Sequence, residues 1–136
     1  MVENTSINMD HNHNLIGKEL NILIVDDIKV NFLLIKAILG KLNMNMFWAE
    51  DGYKAIEHIE NGSTPDIVLM DYNMPGMDGL ETTLLIKKIL PAVPVISIST
   101  FTDSPLFDRS TAPFDAYATK PVVPAELLRL INENVR

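Results

Sequence analysis

The sequence predicts one α/β domain, a doubly wound parallel sheet of five strands with helices on both faces. Three observations carry that expectation. From about residue 20 onward, short apolar runs alternate with helix-like segments, the pattern of strands joined by right-handed helical crossovers. Three of the runs are apolar almost without interruption, as parallel strands are when both sides are covered. The chain has 136 residues, enough for one sizeable core and too few for two.

Each element has its own signal. Ile22 to Val25 is a run of β-formers and reads as the first strand, followed by a helix from Ile28 to about Leu39 closed by Gly40. Met44 to Trp48 is a weaker second strand, and Gly52 to Glu60 is a helix ended by Asn61-Gly62. Asp66 to Met70 is the third strand. The helix Leu80 to Leu90 after it is stopped by Pro91, which can neither donate a helical hydrogen bond nor avoid the preceding turn. Val93 to Ile98 and the short Ala116 to Ala118 are the fourth and fifth strands. Pro124 suits the first turn of a closing helix that runs to about Asn134. Residues 1–19 are rich in Asn, His and acids without periodicity and read as a flexible tail, leaving residues 20–136 as the domain. The His11-Asn12-His13 triplet in that tail lacks the flanking ligands a metal site would need.

Composition narrows the function. Eleven basic residues against 18 acidic ones give a net charge of -7, which disfavours direct binding to nucleic acid or to an anionic membrane surface. The absence of cysteine excludes disulfides and thiolate chemistry and suits a reducing cytoplasm. No apolar run is long enough to span a bilayer, so the expectation is a cytoplasmic protein with no membrane segment.

In open parallel sheets, ligands bind at the carboxyl ends of the strands. Those ends carry Asp26 and Asp27, then Asp71, then Ser99 and Thr100, then Lys120. Two ionised carboxylates roughly 4–5 Å apart repel by about 3–4 kcal/mol at an effective dielectric near 20, and a third adds to that. A hard divalent cation offsets the repulsion. Oxygen-only ligands, few in number and supplemented by water, favour Mg²⁺ (or Mn²⁺) over a full Ca²⁺ cage.

The acid pair in "IVDD", the stretch "MDYNMPGMDG", and "PVISIST" and "ATKP" follow one another in an order and spacing that resembles the response-regulator receiver domain of two-component signalling, the CheY-like, flavodoxin-like fold. The resemblance covers about residues 20 to 136. It implies that Asp71 accepts a phosphoryl group, and that Asp27, Asp71 and the main-chain carbonyl of Asn73 hold Mg²⁺ while Asp26 acts mostly through a bound water. It further implies that Lys120 binds the phosphate, with a cis bond to Pro121 allowed by the proline, that Ser99 is the switch hydroxyl and that Tyr117 is the switch aromatic. Asn73 and Phe101 fall where the family tunes dephosphorylation. The implied partners are a histidine kinase or a histidine phosphotransfer protein, and a phosphorylation-dependent dimer is a further expectation. Asn31, five residues after Asp26, resembles receivers of hybrid sensor kinases.

Two stretches depart from the pattern. The segment "FTDSPLFDRSTAPFDA" carries Pro105 and Pro113, leaving about one helical turn near Leu106 to Arg109 where the family has a regular fourth helix. The first helix is apolar on more than one face, with Val30, Leu34, Ala37 and Ile38 on one stripe and Phe32, Ile35 and Leu39 on another. Such a helix is either deeply buried or a docking surface. In receivers it flanks the active site and meets the kinase or phosphotransfer protein, and by that resemblance Phe32 and Ile35 are expected in the contact, with ordinary core packing the alternative. Two other readings compete. An Asp-nucleophile phosphatase of the haloacid-dehalogenase type would need a second Asp where Asn73 stands, and a pseudo-receiver would bind partners without being phosphorylated. The main reading is a signalling domain that modifies itself and is not an enzyme acting on a separate metabolite.

Overall fold

The alternation of side chains along each strand sorts this chain's apolar residues into two cores, one on either side of a central sheet. The computed structural model describes residues 19–100 and 112–135. Its elements are β1 (Leu20–Val25), α1 (Lys29–Leu39), β2 (Met44–Ala49), α2 (Gly52–Glu60), β3 (Ile67–Asp71), α3 (Gly79–Ile89), β4 (Val95–Ser99), β5 (Ala116–Thr119) and α4 (Pro124–Asn134). The tail through residue 18, Phe101 and the expected helical turn near Leu106 to Arg109 lie outside the described residues.

All strand pairings are parallel, in the order β2-β1-β3-β4-β5. The order reverses direction at β1, which puts a crevice between the loops that leave β1 and β3. On one face, Leu20, Ile22, Ile24, Leu69 and Ile96 pack against Phe32, Ile35 and Leu39 of α1 and Leu127, Leu130 and Ile131 of α4. On the other, Leu23, Val25, Val68, Met70 and Val95 pack against Ala55 and Ile59 of α2 and Ile86 of α3. The central strands are buried on both faces, which is why β1 and β3 have no polar alternation.

The strand boundaries follow the hydrogen-bond ladder. Tyr72 N donates to the carbonyl of Ile98 at 3.0 Å and Lys120 N to the carbonyl of Ser99 at 2.9 Å, so Asp71 and Ser99 end their strands from within. β4 begins at Val95, two residues later than its apolar run, because Pro94 has no N–H for the ladder and Val93 N is held by the carbonyl of Leu90 in a turn.

Candidate functional site

The site is assembled from three strand ends. Asp26 follows β1, Asp71 is the last residue of β3, and Lys120 follows β5. One carboxylate oxygen from each of Asp26, Asp27 and Asp71 lies within 4.8 Å of the others. Lys120 Nζ reaches Asp71 Oδ1 at 3.0 Å and Asp26 Oδ2 at 3.5 Å. Asp26 and Asp71 are buried, whereas Asp27 is exposed to solvent.

Each buried acid is held by a different device. Asp26 Oδ1 accepts from the backbone N–H of Ile28 at 2.9 Å and from Asn31 Nδ2 at 3.2 Å, so the first residues of α1 orient the carboxylate. Asp71 is positioned by the β3–β4 ladder and by the close start of α3. A Cβ at Gly79 would lie 2.5 Å from the carbonyl oxygen of Asp71 and 2.7 Å from Tyr72 Cα. Only glycine lets α3 begin that near to the acid, and Gly79 N donates to the carbonyl of Tyr72 at 2.8 Å. Between them Gly76, at φ +80°, makes the turn that Pro75 introduces.

The electrostatics follow from this geometry. The Asp71 carboxyl is pushed up from its ordinary 3.8 to about 6, first because burial strips water from the charged form, then because the negative charge of Asp26 stands beside it. The bond from Lys120 and its positive charge oppose the shift, and a hydrogen bond shared with Asp27 adds to it. For Lys120, burial alone would lower the pKa. The bond to Asp71 and the charges of Asp71 and Asp26 outweigh it and hold the ammonium above its ordinary range. The arrangement is a buried carboxylate, two further acids and a fixed cation around one crevice. Three oxygens at this spacing, with no nitrogen or sulfur ligand among them, fit a hard divalent ion held partly through water.

The other expected residues are distributed around the crevice. Ser99 is half-buried at the end of β4, and Asn73 is exposed in the loop after β3. Tyr117 is half-buried on β5, its ring edge-on to Phe114 at 5.8 Å, and Phe114 in turn meets Tyr72 at 6.3 Å. The Lys120-Pro121 peptide is cis. Thr100 is exposed and lines a cavity of about 380 Å³ that opens beside Asp26 and Lys120 and runs over Leu34, Ile98 and Val122.

The expectation for Phe32 and Ile35 is corrected. Both side chains are buried in the core under α1, and Phe32 stacks on Trp48 with ring centroids 5.6 Å apart. Little of either side chain is open to a partner, and Ile35 shows only as part of the lining of the cavity beside Asp26 and Lys120. The solvent face of this end of the chain is carried by Ile28, Val30, Leu33 and Leu34, all at least 47% exposed. With two apolar stripes on one helix, periodicity shows that one faces the sheet but not which one.

Trp48 is a site residue that sequence reading assigned only to a strand. Its Nε1–H donates to the carbonyl oxygen of Asp26 at 2.8 Å. The signal that could have found it is the pairing of β1 with β2, which sets Ile24 opposite Trp48 and Val25 opposite Ala49. That places the only tryptophan in the chain one step from the acid pair.

A five-stranded parallel sheet in this order, with an acid cluster and a lysine at its carboxyl edge, defines the CheY-like class of signalling domains. The chain belongs to the response regulator receiver domain family, whose model matches residues 22–132. It is 32% identical over 121 residues to Protein PilG of Pseudomonas aeruginosa, an alignment covering 85% of this chain and 87% of that protein. It is also 40% identical over 76 residues to the autoinducer 2 sensor kinase/phosphatase LuxQ of Vibrio cholerae, where the match takes in 56% of this chain and 9% of that protein. The matched stretch thus spans about a tenth of the length of that kinase. Among solved structures it is similar to the receiver domain of the sensor histidine kinase PA1611 of Pseudomonas aeruginosa, with a TM-score of 0.74, 30% identity and coverage of 86% of this chain and 98% of that one. That structure holds a magnesium ion in its active-site cleft. This chain is accordingly a receiver domain of two-component signalling. Among the described residues, no helix is long and apolar enough to cross a membrane.

Proposed function

We propose that Asp71 is the phosphoryl acceptor of this receiver, taking the group from a phosphorylated histidine of a kinase or phosphotransfer protein. The observation that supports this most directly is the convergence of Asp26, Asp27 and Asp71 within 4.8 Å, with Lys120 Nζ 3.0 Å from Asp71. An Asp71 oxygen attacks phosphorus in line, a P–O bond forms as the P–N bond breaks, and the imidazole nitrogen leaves with the electron pair and is protonated. Asp27, Asp71 and the carbonyl of Asn73 would hold Mg²⁺ or Mn²⁺ directly and Asp26 through water. Such an ion, when bound, neutralises charge on the phosphoryl oxygens.

The remaining steps belong to the chain. Lys120 exchanges its bond to Asp71 for one to a phosphoryl oxygen and offsets the added charge. Ser99 donates its hydroxyl to the phosphoryl group from the end of β4. Tyr117, on the neighbouring strand, turns further inward as Ser99 moves and so carries the change to the surface near β5. Asn73 stands beside the acceptor and Phe101 two residues past Ser99, where both tune how fast water removes the phosphoryl group. The chain catalyses its own modification and turns over no separate metabolite.

The donor docks on the exposed apolar residues at the start of α1, Ile28, Val30, Leu33 and Leu34, of which Leu34 lines the cavity beside Asp26 and Lys120. Several exposed large apolar side chains on one short stretch beside a reactive group are the mark of a protein contact. Incubation with acetyl phosphate and Mg²⁺ followed by intact-protein mass spectrometry tests the chemistry. One phosphoryl mass is gained by the wild type and none by Asp71→Asn or by wild type in chelator. A gain that survives Asp71→Asn overturns the assignment.

A further inference from the structure

Asp27 is a solvent-exposed carboxylate in the three-residue loop between β1 and α1, and Ile28, the residue that precedes α1, offers the helix no side-chain cap. Nothing in local propensity orients such a group. Its direction is set by the peptide that joins it to Asp26, because that plane fixes where the Asp27 N–Cα bond points. The plane is held from β2. Asp26 N donates to the carbonyl of Ala49 at 3.1 Å, and the carbonyl of Asp26, which belongs to the Asp26–Asp27 peptide, accepts the indole N–H of Trp48 at 2.8 Å. The indole is itself constrained on its flat faces. Phe32 stacks on it at an interplanar angle of 15°, and Lys29 Nζ lies 5.9 Å from its ring centroid.

We propose that Trp48 is a positioning residue of the receiver site, fixing the Asp26–Asp27 peptide so that Asp27 faces the crevice before any cation arrives. This rests on the reading of the acid cluster as a divalent-cation site. A buried Asp26 needs no such help, since Ile28 and Asn31 already hold its side chain. The effect of Trp48 therefore falls on the exposed member of the pair. Phe32 acquires a role in the same device, backing the indole from the core side.

The test separates the N–H from the shape of the ring. Trp48 is replaced in the full chain by 3-benzothienylalanine, which puts sulfur in place of the N–H and keeps size and stacking, and by 4-fluorotryptophan, which keeps the N–H. Mg²⁺ is titrated by calorimetry, and backbone amide spectra are recorded on the metal-free proteins. The isostere is expected to bind Mg²⁺ about tenfold more weakly, the scale of losing a supporting hydrogen bond around a metal site, while the fluoro variant binds as wild type. In the metal-free isostere the Asp27 amide resonance shifts or broadens, a change that a loss of packing elsewhere would not confine to this loop. Equal affinity in isostere and wild type, with an unmoved Asp27 resonance, overturns the positioning role and leaves the cation site intact. Failure of the wild type itself to bind Mg²⁺ overturns the site on which the role depends.

Discussion

The loops that leave β1 and β3 begin alike, with a buried acid at the carboxyl edge of the sheet and a helix to follow, but they use their acids in opposite ways. After β3 the chain takes seven residues, Tyr72 to Asp78, to reach α3, and the last acid is given wholly to the helix. Asp78 Oδ1 accepts from Glu81 N at 2.8 Å, and Glu81 Oε1 accepts in turn from Asp78 N at 3.3 Å, closing a capping box. After β1 only three residues precede α1, and neither acid caps it in that way. Asp26 accepts from Ile28 N while facing Lys120 and Asp71, and Asp27 turns a carboxylate oxygen to the same acid cluster. What differs is position: Asp78 stands immediately before α3, as Asp51 does before α2, and each accepts a first-turn N–H, whereas Ile28 stands immediately before α1 and the two acids lie further back, at the strand end.

Four measurements bear on this contrast. Asp27→Ala should weaken Mg²⁺ binding by at least about tenfold, since it removes a unit charge a few ångströms from the ion. Asp26→Ala should cost less affinity, because its contribution passes through water, and Asp78→Ala should leave affinity unchanged in calorimetric titration. Equal losses for Asp27 and Asp78 would erase the distinction between the two loops. Next in size, Gly79→Ala should destabilise the fold by about 2–3 kcal/mol in urea unfolding, because the added methyl meets the backbone at Asp71 and Tyr72 and α3 must move away from the acceptor. Asp78→Ala should cost about 1 kcal/mol of stability through loss of the cap alone.

The fourth measurement is a pH dependence. With the Asp71 pKa raised to about 6 in the folded protein, the folded state binds more protons than the unfolded chain between about pH 4 and 6. In chelator, the contribution of Asp71 to stability is therefore greatest at the acid end and is lost as pH rises through 6. It appears as the difference in unfolding free energy between wild type and Asp71→Asn, which should fall across that range and level off above it. A flat difference would mean that Asp71 is not desolvated as the geometry requires.

Much of this was legible before any coordinates. Strand ends that carry Asp26 and Asp71 could be read because a parallel strand buried on both sides is an unbroken apolar run, and the residue that breaks it is the one facing the crevice. Lys120 follows the partly buried edge strand β5 and was legible through the "ATKP" resemblance. α4 was read at its observed bounds, Pro124–Asn134, because proline marks one end, and α2 likewise because Asn61-Gly62 marks the other. α1 was misread at Phe32 and Ile35. Its two apolar stripes are locally equivalent, and packing against Trp48 and β1 decides between them. Trp48 was read only as strand, because its bond to Asp26 joins residues 22 apart that meet solely through the β1–β2 register.

The chain's own pattern determined the class of fold, the alternation of its elements and the identity of the acids and the lysine at the strand ends. These depend on local propensity and on burial periodicity, which are written along the chain. The order β2-β1-β3-β4-β5, the 3.0 Å contact between Lys120 and Asp71, and the hold of Trp48 on the acid loop were decided by tertiary structure. Each depends on which distant segments become neighbours, and a sequence read residue by residue carries no distance between strands.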